Sequence, residues 1–172
     1  MKTAVRFSTS ATLVSALVSI TAHAEGPQWR PHSLQADLGL AVAGIAYEHR
    51  FIPAHWFAVR GALQATYPWY TGKDVKGISL ELRPMFYFGS LNAFYVSPFF
   101  RAASIRTTEG GSYPGWTAGI TAGYTHHFGA HWMGRVGAGA QYFAYAHFVD
   151  ATKEVGLAGV WPDVDLVVGY RF

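Results

Sequence analysis

A chain of 172 residues with 16% aromatic and only 13% charged residues is too apolar for a disordered segment, and with no cysteine it has no disulfide framework. The formal net charge of +3 includes Lys2 and Arg6 close to the N-terminus. Lys and Arg are otherwise scattered, so no nucleic-acid partner is expected.

In chain order, the first element is an apolar run at 11–20. It is preceded by Lys2 and Arg6 and followed by Ala22-His23-Ala24, with small residues one and three positions before Glu25. That is the charged, apolar and small-residue pattern of a secretory signal. The run falls well short of the roughly 20 apolar residues that a spanning helix needs. The expected organisation is a cleaved signal peptide at 1–24 and a single domain at 25–172.

From Leu34 onward the sequence divides into eight alternating segments separated by turn-like stretches. They are expected at 34–41, 44–51, 57–67, 77–88, 94–106, 116–128, 132–143 and 160–172. The first two are joined by a tight turn at Val42 and Ala43. Most are near the 9 to 11 residues, roughly, of a tilted strand crossing a bilayer. The fourth sets Ile78, Leu80, Leu82, Pro84, Phe86 and Phe88 against Ser79, Glu81, Arg83, Met85 and Tyr87. The third and the last alternate in the same way.

Alternation alone does not say which face meets water. The polar face carries the acids Asp37, Glu48, Glu81 and Asp165 and the arginines Arg50, Arg60, Arg83, Arg101, Arg135 and Arg171. The other face is bulky, apolar and almost without charge. Were it exposed to water, all eight strands would present a continuous greasy surface. Facing lipid, it is what a membrane barrel needs, since an Arg there costs about 2 to 4 kcal/mol at mid-bilayer. Aromatic residues gather at both sets of strand ends, as two interfacial girdles would require. The connections sort likewise: short ones at 52–56, 89–93 and 129–131, and longer ones at 68–76, 107–115 and 144–159, which are expected to face outward. This parity turns Trp132 outward and Trp56 inward. Tyr47-Glu48-His49-Arg50-Phe51 and Tyr124-Thr125-His126-His127-Phe128 also match across two short turns, through hairpin duplication or convergence.

The ten inward charges are expected to form a lumenal salt-bridge network that plugs the barrel, because buried charges must be paired. An ion path is the competing reading, but eight strands leave an interior only just wide enough for side chains. Eight histidines raise a metal site. The adjacent His126 and His127 point to opposite faces of a strand, and no cluster has ligand spacing, so neither metal nor other cofactor is expected. For acyl-transfer chemistry, His147 and Asp150 begin the last loop with no serine after them, so Ser104 or Ser112 would have to supply a nucleophile from another strand. No catalytic residue is assigned.

With the signal ending Ala22-His23-Ala24, the eight alternating segments and the ending Val168-Gly169-Tyr170-Arg171-Phe172, the chain resembles the small outer-membrane barrels of the OmpA transmembrane-domain and OmpX type. The resemblance implies that Phe172 is the signal read by the barrel-assembly machinery. The expected fold is therefore all-β, an eight-stranded antiparallel transmembrane β-barrel in the bacterial outer membrane. Its expected partners are outer-membrane lipids, including lipopolysaccharide, and the assembly machinery during insertion. The expected role is non-enzymatic, in envelope integrity or surface interaction, with a deacylase-like lipid A-modifying enzyme as the alternative.

Overall fold

The computed structural model describes residues 30–51, 54–90, 92–107, 111–148 and 154–172. The expected signal peptide at 1–24 lies outside the described residues.

The strands are β1 (His32–Leu38), β2 (Val42–Arg50), β3 (Phe57–Thr66), β4 (Lys76–Gly89), β5 (Ala93–Thr107), β6 (Gly111–Phe128), β7 (Trp132–Ala144), β8 (His147–Phe148), β9 (Glu154–Val155) and β10 (Ala158–Arg171). A 3-10 helix at Trp69–Thr71 lies between β3 and β4. Strands β1 to β7 and β10 form one closed barrel in the order β1-β10-β7-β6-β5-β4-β3-β2, every neighbouring pair antiparallel. The short β8 and β9 pair with each other in the connection between β7 and β10. The fold is thus the expected eight-stranded antiparallel barrel.

Side-chain alternation sorts each strand into two faces. In β4, Ser79, Glu81, Arg83, Met85 and Tyr87 are buried, while Ile78, Leu80, Leu82 and Phe88 are exposed. Along the middle of β4 the aliphatic side chains thus stand on the outside and the charges within. The connections between β2 and β3, β4 and β5, and β6 and β7 define a turn end, and the others define a loop end.

Three local expectations need correction. The first turn occupies residues 39–41, closed by the Gly39 N–H donating to the Val42 carbonyl (2.9 Å), not Val42 and Ala43. Val42 is drawn into β2 because its side chain packs inward at the loop end. Of the expected loop at 107–115, Thr107 belongs to β5 and 111–115 to β6, because Ile105 and Tyr113 pair across the two strands and bury together. Trp56 is exposed, not inward, because it sits in the turn before β3, where strand parity does not apply; it stacks on Phe86 (6.4 Å between centroids).

The loop end of the lumen is filled by an apolar cluster of Ala41, Val42, Val75, Ile105, Tyr113, Phe143, Tyr145 and Leu157. Nearer the turns, β6 and β7 face inward with glycines, against which lean the large rings of β5. Gly123 and Gly137 are register partners. A Cβ on Gly123 would stand 2.2 Å from the Val136 carbonyl oxygen and 2.8 Å from Tyr95 Cε1. In β4 and β5 the ladder is interrupted where Pro84 and Pro98 supply no N–H, and the Ser97 hydroxyl donates instead to the Pro84 carbonyl (2.8 Å).

Gly123→Ala is therefore expected to lower stability by about 1 to 3 kcal/mol through overpacking. Gly61→Ala, whose Cβ would meet nothing closer than 3.9 Å, should be close to neutral. Urea unfolding in micelles, followed by tryptophan fluorescence, compares the two.

Candidate functional site

All ten charges expected in the lumen are buried, none exposing more than 7% of its surface. Eight of them meet in hydrogen-bonded ion pairs. Glu81 on β4 is the centre: its Oε1 accepts from Arg60 Nη1 (2.5 Å) and Arg83 Nε (3.0 Å), and its Oε2 from Arg101 Nη2 (2.7 Å). One carboxylate thus joins guanidinium groups from β3, β4 and β5. Arg60 reaches back to β1 through Asp37 (2.5 Å), and Arg83 reaches β10 through Asp165 (3.0 Å). The network ties strands on opposite sides of the lumen.

A second group lies nearer the turns. Glu48 on β2 accepts from Arg135 Nη2 (2.6 Å) and the Tyr87 hydroxyl (2.7 Å). Arg50 and Arg171 lie at the turn-end mouth. There the Arg50 guanidinium sits 3.6 Å from the Tyr87 ring centroid, a cation–π contact.

Sequence reasoning missed the uncharged members that connect these groups. Gln35 donates to Glu48 Oε2 (2.9 Å) and accepts from Arg60 Nε (3.0 Å), so it links the two clusters. Gln64 donates to Asp37 (2.6 Å) and accepts from Arg101 (2.9 Å), and Gln141 accepts from Arg101 (3.2 Å). Tyr95 donates to Asp165 (2.9 Å), and Thr121 to Asp163 (2.7 Å), a further buried acid. The available signal was parity: each amide lies on the charged face of its strand. An amide that donates and accepts at once can join cation to anion in a dry network of charges, although Arg135 Nη1 is left without a partner.

At the loop end, Tyr70 caps the lumen from the 3-10 helix, donating to the Pro162 carbonyl (3.2 Å) and accepting from Gln141 Nε2 (3.3 Å). Burial, reinforced by the Asp163 carboxylate, pushes the Tyr70 phenol up to about 12. The candidate nucleophiles Ser104 and Ser112 hydrogen-bond to each other (3.2 Å) on the exposed face. Asp150 and the side chain of His147 lie outside the described residues, so the structure assembles no triad among those it describes. No group of three or more His, Cys, Asp or Glu suited to a metal ion occurs among the described residues. His127 faces inward and His126 outward, as their adjacency on β6 requires.

The geometry can be set beside known proteins. The N-terminal β-barrel domain of Pseudomonas aeruginosa OprF superposes with a TM-score of 0.56 at 17% identity, over 84% of this chain and 100% of that one. The two share one barrel fold. The likeness to the OmpA type read from the sequence thus holds at the level of fold. No family model matches the sequence, and no curated protein matches it significantly.

Removing one partner of a buried ion pair strands the other charge, at a cost of about 3 to 5 kcal/mol. Glu81→Gln is expected to cost at least that much, since three arginines share the carboxylate; its urea midpoint in micelles against wild type checks this. For Tyr70 the folded value lies above the ordinary 10.0, so its contribution is whole below about pH 10 and is lost as pH rises through about 12. Tyr70→Phe should flatten the alkaline fall in stability between those values, measured by unfolding at stepped pH.

Proposed function

We propose that the chain is an integral outer-membrane barrel with a filled lumen, serving envelope integrity or surface interaction and not transport through its interior. The observation that carries this is the distribution of charge over the two faces. On the outward face of the barrel strands the only formally charged side chains among the described residues are Lys76 and Arg106, both at the loop end. Between the ends stand Leu34, Ile45, Leu63, Leu80, Leu82, Ile120, Val136, Leu166 and Val168, all about half exposed or more. Such a band suits hydrocarbon and is far larger than a water-facing monomer tolerates.

Exposed rings border the band. Phe51, Trp56, Phe88, Phe94, Phe128, Trp132 and Tyr170 lie at the turn end, and Tyr67, Trp69, Trp116 and Tyr142 at the loop end. Aromatic side chains sit well at the two membrane interfaces. The fold shared with the OprF barrel domain supports the same reading. The short connections then face the periplasm and the longer ones the exterior, and export through a cleaved signal peptide at 1–24 completes the proposal.

Lys76 and Arg106 are direct register partners on β4 and β5. Like charges placed opposite each other destabilise a sheet, and the Asp74 carboxylate already stands 3.4 Å from Lys76 Nζ. At the outer interface the second cation, Arg106, is the one that a phosphate of lipopolysaccharide would meet. Each cation near an anionic surface is worth about 1 kcal/mol.

Three measurements test the reading. The protein should fractionate with outer membranes and change its gel mobility on boiling; a soluble protein with unchanged mobility overturns the proposal. A membrane-impermeant maleimide should label Lys73→Cys, but not Ala130→Cys, in intact cells. The double variant Lys76→Gln/Arg106→Gln should retain lipopolysaccharide more weakly, on the order of tenfold, in a binding titration.

A further inference from the structure

At the turn end the outer wall of the barrel carries a group that spacing along the chain does not join. His32 on β1 and His49 on β2 are 17 residues apart in the sequence but direct register partners. Both point outward, since their neighbours Ser33 and Glu48 are buried in the lumen. Tyr47 stands two residues before His49, on the same face of β2. Its Oη lies 2.5 Å from His32 Nδ1, and His49 Nδ1 lies 3.3 Å from that same atom. Two nitrogens and an oxygen from three side chains thus meet at one point. The third donor atom is a phenol oxygen, so the group is not built from His, Cys, Asp and Glu alone.

Hydrogen bonding does not account for this meeting. An imidazole nitrogen has one in-plane position, filled by either a lone pair or an N–H, so His32 Nδ1 cannot make two full hydrogen bonds in either tautomer. A metal ion has the opposite requirement, several lone pairs directed at one centre. The spacing suits one. Two nitrogens, each about 2.0 to 2.1 Å from a tetrahedral zinc ion, stand roughly 3.3 to 3.4 Å apart, and the two Nδ1 atoms are separated by 3.3 Å. Tyr47 is 45% exposed and has room to draw its oxygen back to a similar separation.

The two imidazoles are held in place by rigid neighbours. His32 stacks on Phe172 (5.8 Å between centroids), and His49 meets Phe51 edge to face (4.7 Å). Both stand on paired strands, and the Phe172 N–H donates to the His32 carbonyl (3.0 Å). Both are also partly exposed, so an ion reaches them from solvent and keeps water in its remaining positions.

We propose that His32, His49 and Tyr47 form a binding site for a divalent transition-metal ion on the turn-end rim. Imidazole nitrogen favours zinc, nickel and copper over magnesium and calcium, which take oxygen ligands, and copper binds tightest among the divalent ions of the first row. The phenol proton passes to solvent as the oxygen joins the ion. The bound ion ties β1 to β2. The assignment does not depend on how the barrel is oriented in a membrane.

The test is a calorimetric titration of Cu²⁺, Zn²⁺ and Mg²⁺ into the folded, untagged barrel in a non-ionic detergent. A single equivalent of Cu²⁺ should bind saturably and more tightly than Zn²⁺, and Mg²⁺ should not bind. His32→Gln and His49→Gln should each weaken Cu²⁺ binding at least roughly tenfold, and Tyr47→Phe less strongly. His126→Gln, at the same end of the barrel on β6, should leave it unchanged. The boiling-dependent gel shift verifies that each variant is folded. Should the histidine variants fail to fold, the electron paramagnetic resonance spectrum of the copper-loaded wild type decides: hyperfine coupling to two imidazole nitrogens supports the site, and coupling to fewer overturns it. Absence of saturation, equal affinity in the His32 or His49 variants and His126→Gln, or a Tyr47→Phe affinity equal to wild type also overturns it.

Discussion

Closure of the hydrogen-bond ladder is the constraint from which the other features of this molecule follow. Each of the eight barrel strands has a partner on both sides, so no edge is left and every side chain is committed to inside or outside. An eight-stranded lumen has room for side chains and little else. Ten charges directed inward cannot then remain hydrated, and each must find its counter-charge or an amide among its neighbours. Glu81, shared by Arg60, Arg83 and Arg101, is that requirement met at one atom pair.

The lumen is consequently layered along its axis. Rings and aliphatic groups close the loop end, paired charges occupy the middle, and arginines line the mouth at the turn end. The layers reinforce one another, since ion pairs strengthen as water is excluded and the apolar cluster excludes it from one side. The glycines of β6 and β7 belong to the same arrangement. By giving up side-chain volume they let Tyr95 reach Asp165 across the lumen.

The strand count, the inward set of charges and the apolar outer face were legible in the sequence because a period of two sorts residues before any contact is known. Phe57 and Trp132 even begin their strands where expected. Harder to read were features that depend on what lies across the barrel. Val42 resembles a turn residue in its Ala- and Gly-rich setting and becomes a strand residue only because Val75 and Leu157 wait opposite. Pro114 and Gly115 look like loop, yet the pairing of Ile105 with Tyr113 carries the hairpin past them. The bridging roles of Gln35, Gln64 and Gln141 are not legible in the sequence because they lie in joining charges that are distant along the chain. The turn-end mouth was invisible for a related reason: Arg30, Arg50, His127 and Arg171, which line it, come from four separate stretches.

The seam where the barrel closes joins Ser33–Asp37 of β1 to Val167–Arg171 of β10, and it is the shortest ladder in the barrel. Every other neighbouring pair is contiguous along the chain or separated only by the β8–β9 hairpin, so hairpins can form as soon as both arms exist. The seam must bring together two ends of the chain, and the entropy of closing so long a loop falls on a handful of hydrogen bonds. Until that contact is made, β1 and β10 are open edges, and the half-built lumen exposes Arg60 and Asp37 to water. The last strand therefore works as a latch. It ends the chain's exposure to unintended pairing and, in the same motion, dries the interior in which the ion pairs gain their strength.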